Sequence, residues 1–118
     1  MVQAALVGRA SLAEEVVQAI VRGGTGHARA LLARRIDLPL GAVRALARDQ
    51  AVRVRYALAC QAGLPLEEVL VLAQDPARSV RGAVAMSGAA PLAVVERLEQ
   101  DPERAVAEMA RFALKRRR

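Results

Sequence analysis

Pro39, Pro65 and Pro91 stand 26 residues apart, and so do Asp49, Asp75 and Asp101. Apolar positions keep the same step: Leu40, Leu66 and Leu92; Val43, Val69 and Val95; Leu46, Leu72 and Leu98. A fixed period of this length constrains the fold more than any other signal, because each copy must form one supersecondary unit that buries its apolar face on its neighbours. The second half of the period repeats too. Val54-Arg55 returns as Val80-Arg81 and, weakened, as Val106-Ala107, while Leu58 returns as Val84 and Ala110. Backwards, the same step reaches Ala28-Arg29 with Leu32, then Val2-Gln3 with Leu6, so a half unit is expected over residues 1–11.

Inside the unit the spacing is helical. Leu40, Val43, Leu46 and Ala47 fall at i, i+3, i+6 and i+7 and mark one face of a short helix, and Val54, Ala57, Leu58 and Gln61 continue it with a polar end. First helices are predicted near 12–22, 39–48, 65–74 and 91–100, and second helices near 2–9, 28–36, 52–62, 77–87 and 103–116. Asp75-Pro76 and Asp101-Pro102 read as an N-cap followed by an N1 proline, and Gly23-Gly24-Thr25-Gly26 reads as a looser corner. Aromatic residues make up 2% of the 118, so the core must be built from Ala, Val and Leu, which favours closely packed helices over a β-sandwich. The expectation is one all-α domain over 1–114, with units near 12–37, 38–63, 64–89 and 90–114, followed by a basic tail over 115–118.

The stretch LPLEEVLVLAQDPARSVRGAVAM resembles the leucine-rich-repeat variant family, a relative of the HEAT repeats, whose units run as Pro, leucines, Leu-Ala-x-Asp-Pro and then Val-Arg-x-x-Val-Ala. The resemblance covers about residues 12–114 and is strongest over 38–88. It implies a right-handed α-solenoid of about four two-helix units. It also implies that the Asp and Arg of the motif bond across neighbouring units at the helix corner, giving Asp49, Arg55, Asp75 and Arg81 a structural role. On that reading Arg29 is expected to lack an acid, because Gly23 stands six residues earlier, and Asp101 is expected to face Ala107, leaving both end units degenerate. Some members of the family carry an iron–sulfur cluster on a cysteine-rich segment; with Cys60 as the sole cysteine, no cofactor is expected here.

Tyr56, Cys60 and Met86 lie on second helices at positions that depart from the core pattern, with Gly82 in register with Tyr56. They are expected to floor a groove for a protein segment, Tyr and Met serving as adaptable apolar contacts. Leu70 and Val71 form a second candidate surface, since Arg44 and Ala45 precede them, and Glu96 and Arg97 follow them, at the same step. Charge gives an alternative. Residues 1–59 carry nine Arg against four acids, residues 60–114 five against eight, and the tail adds four bases, within a formal net charge of +6. A nucleic-acid interface would then use Arg44, Arg48 and Arg53 with Lys115, Arg116, Arg117 and Arg118. A third surface is the N-terminal end, where Val2, Ala5, Leu6 and Leu12 would form an apolar stripe suited to a homodimer or a docked partner.

Catalysis finds little support. His27 is the sole histidine, which removes multi-imidazole metal sites and a second base for a Ser–His–Asp arrangement, and no metal is expected. The Gly-rich corner lacks the Lys-Ser/Thr ending of a phosphate loop, and the neighbours in Glu14-Glu15 and Glu67-Glu68 point to different sides of a helix. One cysteine favours a reducing compartment, and no apolar run approaches the roughly 20 residues of a membrane span, so a non-enzymatic, cytoplasmic scaffold or adaptor is expected, without a membrane partner. Far-UV circular dichroism should therefore be dominated by helix. A strand content above about a fifth, the ordinary share in globular proteins, would contradict this reading.

Overall fold

The computed structural model describes residues 14–35, 37–88 and 90–117. The expected half unit over 1–11, the stripe Val2, Ala5, Leu6 and Leu12, and Arg118 lie outside the described residues. Among those described, the regular structure is helical throughout: α1 over 14–23, α2 (Gly26–Ala33), α3 (Leu40–Ala47), α4 (Val52–Ala59), α5 (Leu66–Ala73), α6 (Arg78–Met86), α7 (Leu92–Leu98) and α8 (Arg104–Arg117). Even-numbered helices meet in the order α2, α4, α6, α8, and odd-numbered ones in the order α3, α5, α7, with sequential neighbours crossing between the two rows. The body measures 55 × 29 × 18 Å. Its core is a thin seam between the rows, in which Leu46, Leu58, Leu72, Val54, Val80, Val95 and Val106 are almost completely buried.

Prolines start the odd helices by fixed backbone geometry. Pro39, Pro65 and Pro91 are N-caps with φ between −60° and −55° and ψ between 147° and 149°. Each proline carbonyl accepts two N–H groups of the first turn, as Pro39 does from Ala42 and Val43 at 3.0 and 3.1 Å. Proline lacks only the N–H, which a helix start leaves unused, so it supplies the bend without losing a bond. Leu40, Leu66 and Leu92 repeat as faithfully as the core leucines, yet they are 47%, 56% and 50% exposed. Strict repetition at this first-turn position therefore does not mean burial.

The even helices begin differently from the expectation. Ala77, not Asp75, is the N-cap of α6, and the Asp75 carboxylate accepts the Ala77 N–H at 2.8 Å from two residues upstream. Asp49 does the same for Ala51 at 2.9 Å and Asp101 for Glu103 at 2.9 Å. Proline thus sits in the bend between acid and cap in Asp75-Pro76, where this hydrogen-bonded turn needs no N–H from it. At the Gly-rich corner Thr25 caps α2 through its hydroxyl, which accepts from Ala28 N at 3.1 Å. Gly24 N donates to Ile20 O at 2.9 Å, and a Cβ at Gly24 would stand 2.7 Å from that same oxygen, so only glycine fits there.

Arginine links one corner to the next. Arg55 donates through Nε and Nη2 to both Asp75 oxygens at 2.7 and 3.3 Å, while its Nη1 donates to Asp49 O at 2.5 Å. Arg81 repeats this with Asp101 at 2.7 and 3.1 Å and with Asp75 O at 2.7 Å. Arg29 repeats it with Asp49 at 2.7 and 3.2 Å and with Gly24 O at 2.6 Å. The expectation that Arg29 has no acid and that Asp101 faces only Ala107 is therefore corrected. The carboxylate answering each Arg lies 20 residues ahead of it, and the corner behind it supplies only a backbone carbonyl, which Gly24 provides as well as an aspartate does. On the opposite side Gln61 donates its amide to Ala33 O and to Arg35 O, the latter at 2.6 Å, tying the end of α4 to the end of α2.

These bonds set two testable outcomes. Arg81→Ala, which removes a guanidinium side chain only 14% exposed, should lower unfolding free energy in urea by about 1.5–3 kcal/mol, the usual worth of charge-assisted bonds. The Arg81 hydrogen bond, opposed by burial, holds the Asp101 carboxyl below its ordinary value. A carboxyl depressed by folding contributes stability above the ordinary Asp value of about 4 and loses it as pH falls through the lowered one. Asp101→Asn should therefore flatten the acid limb of stability measured from about pH 5 to pH 2, and an unchanged limb would contradict the assignment.

Candidate functional site

Three positions on the even helices face the same way and repeat in rows 26 residues apart: His27, Arg53, Ser79 and Ala105; Ala30, Tyr56, Gly82 and Glu108; Arg34, Cys60, Met86 and Phe112. Between α4, α6 and α8 these rows enclose an open groove of about 350 Å³ lined by Tyr56, Cys60, Ser79, Gly82, Ala83, Met86, Ser87 and Met109. Tyr56, Cys60, Gly82 and Met86 thus meet at one place. Tyr56 and Met86 are 46% and 45% exposed, so their apolar surface is presented to solvent.

Ser79, Ala83, Ser87 and Met109 are the lining residues that sequence reasoning missed, and Met109 is the largest of them. A Cβ at Gly82 would stand 2.7 Å from Met109 Sδ, so the thioether of α8 lies in the notch that the missing side chain leaves on α6. The signal was present in the register: Leu31, Ala57, Ala83 and Met109 share one step, and the small residues at 57 and 83 give way to a long flexible one. Tyr56 and Cys60 face each other one helical turn apart. The negative charge of a Cys60 thiolate, its hydrogen bond to the phenol and partial burial together hold the Tyr56 hydroxyl above its ordinary value.

Leu70 and Val71 do not join this groove. Both lie on α5 at 38% and 36% exposure, and of the two only Leu70 lines a smaller, separate depression of about 260 Å³ against α7, with Val94, Arg97 and Leu98. The alternative basic set is also divided. Arg44 and Arg48 extend from α3 and its C-cap towards Glu68 on α5, at 3.9 and 3.7 Å, whereas Arg53 lies in the first turn of α4. Lys115, Arg116 and Arg117 are not a detached tail but the last turn of α8, which makes no contact with α3. Arg116 lies over the Phe112 ring at 5.7 Å, and Arg117 donates to Gly88 O at 3.3 Å.

Glu67 and Glu68 do point to different sides of α5, Glu67 to solvent and Glu68 into the core. The Glu68 side chain is 1% exposed, and Oε2 has no hydrogen-bond partner among the described residues. The register exposes the cause, since Ala42 and Val94 stand at the matching core positions of the neighbouring odd helices. A carboxylate so placed is tolerable only beside cations, which the two α3 arginines supply.

Folding also re-sorts the charge. Along the chain it divides into halves, but in the structure it divides between rows: α2, α4 and α6 contain no acidic residue, and α8 contains only Glu108. The same helices carry Arg53, Arg78, Arg104 and Arg111, besides the corner arginines and the last turn of α8. The odd row α3, α5 and α7 carries Glu67, Glu68 and Glu96 with Arg44 and Arg97, and α1 carries Glu14 and Glu15. A larger cleft, about 550 Å³, lies between α1 and the α2–α3 connection, where Arg35 and Asp37 bind each other at 3.1 Å. Among the described residues no three of His, Cys, Asp and Glu converge as metal ligands, and no helix is long and apolar enough to cross a membrane. Comparison of the chain with protein-family models, curated proteins and solved structures finds no match.

Proposed function

We propose that the chain is a non-enzymatic helical-repeat scaffold, a right-handed α-solenoid of the leucine-rich-repeat variant or HEAT-like type, that binds a segment of another protein as a small subunit of a larger assembly. The observation that carries this reading is the convergence of Tyr56, Cys60, Gly82, Met86 and Met109 on one groove. Tyrosine and methionine present large, adaptable apolar contacts, and the Gly82 notch gives the Met109 thioether its seat beside them. The bridging of consecutive corners by Arg29, Arg55 and Arg81 supports the stacked-unit part of the proposal, because it is the kind of contact adjacent repeats share.

A nucleic-acid-binding scaffold is the second reading, favoured by the scarcity of acids on the even row. The two separate by experiment. Tyr56→Ala combined with Met86→Ala should weaken capture of a protein partner by about 2 kcal/mol or more, as truncation of central contacts does, with little change on neutralising Lys115 and Arg117. Nucleic-acid binding would invert that order, and its affinity would fall steeply between about 50 and 200 mM salt.

A further inference from the structure

We propose that the segment seated in the α4–α6–α8 groove is acidic and amphipathic, its apolar side chains entering between Tyr56, Met86 and Met109 and its carboxylates meeting arginines at the rim. The inference rests on the protein-binding reading and adds the chemistry of the partner. The cations at this face fall into two sets. Arg29, Arg55 and Arg81 are held at both ends by the corner bonds and are unavailable to a ligand. Arg34 and Arg53 are exposed and form no ion pair among the described residues, and they stand in the same rows as Cys60 and Ser79 of the groove. Arg116 lies over the Phe112 ring rather than beside a carboxylate.

The one acid on this face, Glu108, is bonded to Arg104 at 2.9 Å. An incoming carboxylate at the rim would therefore gain charge-assisted bonds without breaking an existing pair, whereas a basic segment would meet uncompensated like charge. Between the rim cations the surface is apolar, which fits a segment with one apolar side better than a uniformly charged chain. It also disfavours a nucleic-acid strand, for which Tyr56 is the one aromatic ring lining the groove and phosphate contacts would be interrupted at the centre. Met109 gives the seat its adaptability, since its thioether rests on Gly82 and can swing out as a side chain enters.

The test is selection of random peptides of about 16 residues, long enough for four helical turns, displayed on phage against the immobilised full chain. Enriched peptides should be net acidic, with apolar residues at i, i+3 or i+4 and i+7. A synthetic copy of the best one should lose at least about tenfold in affinity when its Asp and Glu become Asn and Gln. Arg53→Glu with Arg116→Glu should cause a similar loss while leaving the helical spectrum and melting temperature unchanged. Gly82→Ala, which fills the notch under Met109 with the rim charges intact, should weaken the same peptide several-fold. Enrichment of neutral or basic peptides that still need Tyr56 would overturn the acidic assignment and leave the protein-binding reading standing. Failure to enrich any peptide, with tight and salt-sensitive binding of a single-stranded DNA 20-mer or without it, would overturn both.

Discussion

The guanidinium that spans two corners is the interaction on which the rest of the molecule depends. Each of Arg29, Arg55 and Arg81 presents Nε and Nη2 to both oxygens of a carboxylate ahead and Nη1 to a backbone carbonyl behind. A lysine could not do this, because its ammonium is a point charge without the planar fork that addresses two acceptors in one direction and a third in another. The carboxylate is shared as well: Asp49, Asp75 and Asp101 each also accept the N–H of the residue two positions on, which closes the turn into the next even helix. One pair therefore fixes the bend within a corner and its distance to the next. The desolvation of both charges in the Arg55–Asp75 pair is offset by four directed bonds rather than by Coulomb attraction alone.

Once the corners are set, small side chains suffice. The seam between the rows is filled by Ala, Val and Leu, with Leu46, Leu58 and Leu72 fully buried and Ala33, Ala42 and Ala110 letting helices approach closely. With so little volume per residue, a short helix of about two turns cannot hold itself by propensity, and the tertiary seam must do it. The rows then turn different chemistries outward. Glutamates collect on the odd row and arginines on the even one, and the apolar groove opens among the arginines.

Much of this was legible because a 26-residue step marks corners as well as faces: the prolines, the aspartates and the Val-Arg pairs located the helices to within a few residues. The direction of the Arg–Asp bond was not, since six residues back and 20 residues ahead are both one corner away in a repeating chain, and only the fold chooses between them. Leu40 shows the reverse limit, a repeated leucine outside the core, while Glu68 shows a charge inside it. Both follow from a helix being read as a smooth stripe, although its first position overhangs the seam and its third does not. The groove residues were found as breaks in the pattern. Met109 escaped because its role lies in what Gly82 lacks, two helices linked through a missing side chain.

The corner linkage has a corollary. Because the carbonyl behind Arg81 belongs to Asp75 and the one behind Arg55 to Asp49, the two arginines are interchangeable at their junctions. Excision of residues 50–75 would place Pro76 directly after Asp49, returning to Arg81 the same carbonyl six positions upstream and leaving its carboxylate at Asp101 untouched. Arg29 would keep Asp49. The corner bonds are thus commensurate with the 26-residue step: removing one step leaves each remaining arginine with a carbonyl behind and a carboxylate ahead.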